Sequence, residues 1–348
     1  MNFSVAVATR IAELDPERWD QVVDRTGASI FYHRVFLEAF EKFPLHPVEK
    51  AAYLTVCAAD GEPVAVLPAF LTHGTDPMHV LHDHLPGEAD EPVLLSHVWH
   101  CYQSTLPTVV GNAGSWPAAV TVLSELAGQW GAAAHGFVNV DRLDPLSAWL
   151  DRAGHTGVDI EVGWGTDLSG CPSIDVYLGR LSAKRRGIMR QYLRRGDSAG
   201  VRRRWMPARD GDLDGFVRLA RHTATKFDNA DYYQPGLFQN FVAHLGTHAW
   251  LEELRIDGEL VGAALVLFDR RRTHFFASGF DLAACDRFSP FYLLFAGVVE
   301  EGIRRGLPWL AAGRRNPDFK RRHGLTSTVL RAHLARTGPL MSASVRAF

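Results

Sequence analysis

Two side chains in the second half of the sequence have the chemistry of a general base. Asp281 follows a predicted strand and precedes a helix that begins at Ser289-Pro290, and His274 lies on that strand. A carboxylate or a neutral imidazole can take a proton from a reacting group, directly or through water. The structural alternatives are an ordinary turn aspartate and a hydrogen-bonded core histidine. No Ser-His-Asp or Cys-His arrangement is evident, so we expect direct attack without a covalent intermediate.

Other positions in this half are suited to binding an anion. Arg314 and Arg315 follow the predicted strand at residues 309–312, and their forked guanidinium groups fit a phosphate or carboxylate. Ser289 and Tyr292 lie at the predicted helix start, where free backbone N–H groups attract negative charge. The alternatives are a solvated loop for the arginines and a simple helix cap for Ser289.

Positive charge is concentrated in the second half. Residues 1–175 hold 8 Lys/Arg and 23 Asp/Glu, whereas residues 176–348 hold 29 Lys/Arg and 16 Asp/Glu. A basic helix is predicted from Ser182 to about Arg195, with Gly196 as its stop. Such charges give salt-dependent affinity for RNA, although attraction between two oppositely charged halves explains them equally well. The candidate tRNA contacts are Lys184, Arg185, Arg186, Arg190, Arg194, Arg195, Arg321 and Arg322.

Two polar, aromatic segments are candidates for an acceptor pocket. The loop at residues 226–233 contains Asp228, Tyr232 and Tyr233, and loops carry function disproportionately. The His-rich stretch at residues 73–101 offers Trp99 and His100 as a pocket wall between the domains. Its histidine spacings could suit zinc, but no Cys-x-x-Cys pair accompanies them, and we expect no metal.

The pattern of apolar residues is that of an α/β protein. Asp60-Gly61 and Asp257-Gly258 each separate two apolar runs and predict two β-hairpins. Both halves follow the same order of helices, hairpin, helix and strand, which suggests a duplicated fold. The Gly-rich stretch at residues 163–170 is the expected linker, and a short strand at residues 174–178 is expected to begin the second half.

Bulk properties agree with a two-domain cytoplasmic protein. The 348 residues are too many for one ordinary core. No apolar run is long enough to span a bilayer, and no signal peptide is apparent. Four widely separated cysteines argue against a disulfide framework and fit a reducing compartment.

Residues 250–324 carry a family resemblance. A hairpin leads into the strand at 274–281, then a helix, and then the run Phe319-Lys320-Arg321-Arg322-His323-Gly324. This resembles the C-terminal domain of the FemAB-like branch of the acetyltransferase (GNAT) superfamily, which ends in Phe-Lys-Arg/Lys-x-x-Gly. The resemblance covers roughly residues 174–335, and the first half is similar in element order and through residues 31–37.

The resemblance implies the fold and the activity. It implies two tandem GNAT-like α/β domains, a degenerate one at 1–170 and a catalytic one at 171–348, each a mixed, mostly antiparallel sheet flanked by helices. It implies transfer of an acyl group to an amine, with Lys320 matching a lysine that lies near the donor ester and stabilises the oxyanion. For Lys320 the alternative is a place in a solvated basic run.

Family members divide by donor, using either aminoacyl-tRNA or acyl-CoA. The sequence contains no Arg/Gln-x-x-Gly-x-Gly/Ala pyrophosphate loop and has a basic second half, and both features favour aminoacyl-tRNA. We therefore expect transfer to a small-molecule amine, as in the antibiotic-pathway enzymes that the chain resembles, without a further cofactor. An acyl-CoA-dependent N-acetyltransferase is the first alternative. A non-catalytic RNA- or cell-wall-binding module on a GNAT scaffold is the alternative from another class.

Overall fold

The computed structural model describes residues 2–73, 81, 91–96, 101–227, 229–286 and 288–338. The α-helices in this part of the chain are α1 Pro16–Thr26, α2 Arg34–Lys42, α3 Trp116–Trp130, α4 Pro145–Arg152, α5 Ile174–Gly179, α6 Ala183–Ser198, α7 Leu213–Ala224, α8 Leu237–His244, α9 Pro290–Arg304 and α10 Pro317–Arg322. The strands are β1 Ser4–Ala8, β2 Lys50–Cys57, β3 Pro63–His73, β4 Pro92–Ser96, β5 Ala134–Asp141, β6 Thr156–Asp167, β7 Arg202–Pro207, β8 Ala249–Ile256, β9 Glu259–Phe268, β10 Arg272–Phe280, β11 Trp309–Ala311 and β12 Thr326–Arg336.

The chain divides into two units, each assembled from separate segments. The first comprises Met1–Arg34, His46–Glu161 and Val329–Phe348, and the second comprises Val35–Leu45 and Val162–Thr328. The predicted domains 1–170 and 171–348 stay a prediction. Relative to them, residues 35–45 and 162–170 fall in the second unit and residues 329–348 fall in the first.

Helix α2 shows why an early segment belongs to the second unit. Phe36 packs edge to face against Phe241 of α8, with ring centroids 5.5 Å apart. Glu38 lies 3.5 Å from His244 on the same helix. The aromatic contact buries apolar surface on both helices, which favours the association.

Both predicted Asp-Gly hairpins are confirmed. Strands β2 and β3 pair antiparallel across the first turn, and β8 and β9 pair antiparallel across the second. Asp257 has φ 49° and Gly258 has φ 89°, the left-handed values that a tight hairpin turn requires.

The strands of the second unit run in the order β6-β11-β10-β9-β8-β7. Strands β10 and β11 are parallel, and the other neighbours in this series are antiparallel. Helix α9 buries Leu294 and Val298 in the core that includes Val266 of β9. The predicted mixed, mostly antiparallel sheet is confirmed for this unit.

The first unit repeats this pattern. Its strands run β1-β2-β3-β4-β5-β12, with β4 and β5 parallel and the other neighbours antiparallel. Its core includes Leu67 of β3, Leu123 of α3 and Phe137 of β5. The duplication suggested by the sequence is therefore present in strand order and direction.

Three local predictions were wrong. Residues 174–178 form helix α5 rather than a strand, because Ser173 caps it by accepting a hydrogen bond from the Val176 N–H at 3.4 Å. The expected linker at 163–170 is largely strand β6, and helix α6 continues through Gly196 to Ser198.

No α-helix within the described ranges is both long and apolar enough to cross a bilayer.

Candidate active site

A gap between two parallel strands of the second unit defines the candidate site. Strands β10 and β11 pair only from Arg272 to His274, after which β11 ends while β10 continues to Phe280. The pairing of β10 with β9 shifts register between Phe275 and Ala277, a bulge of the kind found next to active sites. Ligands of open α/β sheets bind beyond the carboxyl ends of strands, which is where β10 and β11 diverge.

Aromatic contacts hold the two neighbouring helices at this gap. Phe291 of α9 stacks on Phe275 of β10 with ring centroids 6.0 Å apart, and meets Phe319 of α10 at 4.7 Å. Phe319 also packs edge to face against Tyr292 and Phe295, at 5.0 Å and 5.1 Å. Helix α10 has only six residues, so these rings rather than its own hydrogen bonds fix its position.

Lys320 is buried beside this aromatic cluster. Its side chain is 6% exposed, whereas Arg321 and Arg322 are exposed. The alternative that these residues form a solvated basic run is therefore wrong for Lys320 and right for Arg321 and Arg322. A lysine is rarely buried unless an interaction or a function holds it there.

Asp281 is exposed at the carboxyl end of β10. Its Oδ1 accepts a hydrogen bond from the Ala283 N–H at 2.9 Å, and its own N–H donates to the Val261 carbonyl at 2.9 Å. These bonds are those of a turn aspartate, and they orient the carboxylate beside the gap. A role as proton acceptor stays a prediction.

His274 is buried beside a carboxylate. Its Nε2 lies 2.8 Å from Oδ2 of Asp269, and both side chains are 2% exposed. Burial by itself raises the pKa of Asp269, but the hydrogen bond and charge of His274 outweigh burial, and Arg272 adds to their effect. Together they lower the pKa of Asp269 to about 2. This geometry is that of the core histidine considered as the alternative, and a catalytic role for His274 stays a prediction.

The other predicted anion-binding residues lie at the start of α9 and in the loop that follows β11. Ser289 is the N-cap residue of α9, but its side chain makes no capping hydrogen bond, so the simple cap is wrong. In the loop from β11 to α10, Arg314 is half-buried and Arg315 is exposed. Tyr292 stacks on Tyr192 of α6, with ring centroids 4.2 Å apart.

The two tyrosines of the predicted acceptor loop pack against each other and the core. Tyr232 and Tyr233 meet edge to face at 4.8 Å, and both contact Phe238 of α8. The Tyr233 carbonyl accepts a hydrogen bond from Arg221 at 3.1 Å. Their packing role is observed, and their substrate role stays a prediction. Asp228, Trp99 and His100 lie outside the described residues, as do His79, His82, His84 and His97 of the considered zinc spacings.

The basic helix is confirmed, and its charges differ in their surroundings. Ser182 caps α6, and Arg190 pairs with Asp175 at 3.0 Å. Arg186 donates to the Leu181 carbonyl at 3.2 Å. Lys184, Arg194 and Arg195 are exposed, with Arg195 placed 5.7 Å from the Tyr192 ring.

A Ser-His-Asp arrangement that the sequence did not reveal lies in the first unit. His333 Nε2 lies 2.9 Å from Ser147 Oγ, and His333 Nδ1 lies 3.2 Å from Asp151 Oδ1. The sequence does not reveal this contact because His333 lies 186 residues from Ser147. Ser147 is 1% exposed and His333 0%, so a substrate has no access to the serine and the group has a structural role.

Comparison with known proteins agrees with this geometry. Residues 183–321 match the family model of the acetyltransferase (GNAT) domain. The structure of FemX is similar over 96% of this chain and 97% of its own, with a TM-score of 0.67 and 13% identity. A tandem GNAT protein from the clavulanic acid biosynthesis pathway is similar over 97% and 100%, with a TM-score of 0.57 and 14% identity. This chain has a tandem GNAT fold.

The tandem GNAT fold confirms the FemAB-like organisation predicted from the sequence. This chain is also similar to the structure of L-PGS from Bacillus licheniformis, over 94% of this chain and 93% of that one, with a TM-score of 0.56 and 13% identity. No curated protein matches the sequence. A GNAT domain supports the assignment of this chain as a transferase. Residues 183–321, which match the family model, contain both Asp281 and Lys320.

Proposed function

We propose that this tandem GNAT protein transfers an aminoacyl group from aminoacyl-tRNA to the amine of a small molecule in specialised metabolism. The amine nitrogen attacks the ester carbonyl, and the bond from that carbon to the 3′-terminal ribose oxygen breaks. The amine loses a proton to Asp281, directly or through a water, and the ribose oxygen gains one. The products are an amide and free tRNA.

The burial of Lys320 on helix α10 is the observation that carries the proposal. A positive charge held in a site with little water stabilises a developing oxyanion more strongly than the same charge in solvent. Lys320 is 6% exposed and lies next to Phe319, which the rings of α9 fix in place. This packing holds helix α10 in place, and we take the Lys320 ammonium to be positioned before the reaction, so that little reorganisation is needed when the oxyanion forms.

The choice of aminoacyl-tRNA as donor is supported by charge. Lys184 and Arg194 on α6 and Arg321 and Arg322 on α10 are exposed cations of the second unit. An RNA backbone would be attracted to such cations, with an affinity that falls as salt rises. We include a cytoplasmic location in this proposal, where charged tRNA is available.

Acyl-CoA is the alternative donor, and one structural relative favours it. The tandem GNAT protein from the clavulanic acid biosynthesis pathway is described as a structure without AcCoA, so AcCoA is the ligand named for that protein. A CoA thioester would present the same carbonyl to Lys320, with a thiolate as leaving group instead of a ribose oxygen.

A transfer assay distinguishes the donors. Purified protein is mixed with a pool of small amines and either a charged tRNA pool or acetyl-CoA, and amide products are detected by mass spectrometry. We expect a product with charged tRNA that disappears after ribonuclease treatment. A product with acetyl-CoA alone would replace the donor, and salt-sensitive RNA binding without any amide product would favour a non-catalytic module.

A further inference from the structure

Two stacked tyrosines connect helices α6 and α9 of the second unit. The rings of Tyr192 on α6 and Tyr292 on α9 have centroids 4.2 Å apart and an interplanar angle of 28°. Both side chains are half-buried, whereas Phe295, further along α9, is fully buried. A stack of this kind stabilises the contact between two helices, which is its structural role. Since both rings also reach the surface, the stack is accessible to a ligand.

Arg195 lies over the Tyr192 ring. The two residues are three positions apart on α6, which places them on one side of the helix. The Arg195 Cζ is 5.7 Å from the ring centroid. Because Tyr292 covers one face of Tyr192, we assign the guanidinium to the other face. The Arg195 side chain is exposed, and it makes no ion pair within the described ranges.

A second stacked arginine of the same unit shows how loosely Arg195 is held. The Cζ of Arg305 lies 4.1 Å from the Trp250 ring and 3.9 Å from the Phe268 ring. Its Nε also donates to Glu301 at 2.7 Å. Two rings and a carboxylate therefore fix Arg305. Arg195 meets one ring at a longer distance, so it can move away from that ring at little cost.

The tyrosine stack leads to the residues proposed for catalysis. Tyr292 lies in the first turn of α9 and packs edge to face against Phe319 of α10, with ring centroids 5.0 Å apart. Lys320 follows Phe319 in the sequence. Two ring contacts therefore connect Tyr192 with the residue that precedes Lys320.

This location suits one of the two candidate donors. In an aminoacyl-tRNA the ester is on the ribose of the terminal adenosine, so the base and the reacting carbonyl belong to the same nucleotide. In an acyl-CoA the whole pantetheine arm separates the adenine from the thioester. A surface for a base near Lys320 therefore fits the end of a tRNA better than it fits CoA.

We propose that Tyr192 is a stacking platform for the terminal adenine of the tRNA, with Arg195 closing over the base. The adenine takes the place of the guanidinium on the Tyr192 face, and Arg195 moves outward to lie on the other side of the base. Proteins commonly bind unpaired RNA ends by stacking bases between aromatic rings and arginine. This inference rests on the proposed function for the identity of the donor.

RNA probes with and without the terminal adenosine test the platform. Two deacylated minihelices, one ending in CCA and the other in CC, are titrated by fluorescence anisotropy at one salt concentration. We expect the CCA probe to bind about tenfold more tightly, which corresponds to the stacking of one base on an aromatic ring. Y192A should bind both probes equally, at the affinity of the unaltered protein for the CC probe.

Matched variants separate stacking from helix packing, with melting temperatures to confirm that each is folded. Y192F keeps the flat ring and should keep the preference. Y192L keeps an apolar contact with Tyr292 but lacks the ring, so it should lose the preference, and R195A should lose only part of it. W130A is the control, because Trp130 of the first unit is a half-buried ring with the Lys50 ammonium 5.6 Å from its centroid. It should change neither affinity.

CoA and 4′-phosphopantetheine identify the source of the base. Both contain the pantetheine arm, but CoA alone contains adenine. We expect Y192L to leave the affinity for each of them unchanged. A preference for CoA that depends on Tyr192, without a preference between the minihelices, would support a base platform and overturn the tRNA donor.

The remaining outcomes separate this inference from the proposed function. If the unaltered protein shows neither preference, or if folded Y192L keeps those it shows, the platform is overturned, even where amide transfer from charged tRNA is observed. A preference for the CCA probe that is lost in Y192L, without transfer to any amine, would support the platform and overturn the enzyme.

Discussion

Phe319 of α10 meets Phe291 of α9 edge to face, with ring centroids 4.7 Å apart and an interplanar angle of 72°. Phe291 in turn stacks on Phe275 of β10. These contacts connect the strand that bounds the gap with the short helix that carries Lys320. The position of helix α10, and with it of Lys320, therefore depends on this aromatic packing. Substitution of Phe319 tests the packing, and substitution of Lys320 tests the ammonium.

We expect F319A to lower both stability and turnover. Loss of this buried ring should cost about 3 kcal/mol of unfolding free energy, and helix α10 should lose its fixed position. F319L retains much of the volume and should recover most of the stability. Chemical unfolding and steady-state kinetics measure the two effects. Full turnover in folded F319A would show that Lys320 is positioned by something else.

We expect D281N to reduce turnover about 100-fold, because an amide cannot accept the amine's proton. The substitution keeps the turn, since the Asn oxygen can still accept from the Ala283 N–H. D286N, in the following 3-10 helix, is the matched control. The measurement is kcat/KM from about pH 5 to 9. Equal profiles for D281N and the unaltered protein would assign the proton to water or to another base.

Two arginines of α6 should contribute unequally to RNA binding. Arg194 is exposed and makes no described ion pair, whereas Arg190 is paired with Asp175 at 3.0 Å. R194A should reduce the slope of log affinity against log salt by about one, and R190A by less, because Asp175 already offsets its charge. Filter binding of tRNA at several salt concentrations measures the slopes. Equal slopes for R194A and the unaltered protein would remove α6 from the RNA surface.

Sequence patterns predicted the elements that depend on local chemistry. The Asp-Gly turns, the Ser182 cap and the helix after Ser289-Pro290 are all present, because each is decided by neighbouring residues. The predictions of a linker around Gly165 and of a helix stop at Gly196 were wrong, because packing leaves no room for a side chain at either position. A Cβ on Gly165 would lie 2.5 Å from the Trp309 ring, and one on Gly196 would lie 2.5 Å from Leu293.

The candidate site was predicted in part. The motif indicated Lys320, and the structure adds its burial, which no run of basic residues reveals. The Ser147 and His333 contact was missed because the two residues lie 186 positions apart in the sequence.

The first unit should lose stability in acid. Burial lowers the pKa of His135 and of His333 to about 4. Burial also lowers the pKa of His155. Asp151 partly opposes this effect at His333, and Arg331 adds to it. The unfolded chain binds these protons below about pH 6.5 while the folded chain does not, so stability falls from about pH 6.5 to about pH 4.

Thermal unfolding across that range checks the prediction. At about pH 5, each of His135 and His333 should contribute a loss of about 2 kcal/mol. H135L should flatten the pH dependence, whereas H222L, at an exposed position, should leave it unchanged. A melting temperature independent of pH between about 6.5 and 4.5 would contradict the burial of neutral histidines.

The most direct test of the account is the single-turnover rate of K320M with charged tRNA and an accepted amine. Methionine keeps the length and apolar stem of the lysine, so the fold is preserved. R209A, which alters an exposed arginine outside the proposed site, is the control for loss of charge. We expect a fall of about 100-fold or more in K320M with unchanged tRNA affinity, because one oxyanion donor is removed. K320M with the rate of the unaltered protein would contradict the role of Lys320 and with it the proposed active site.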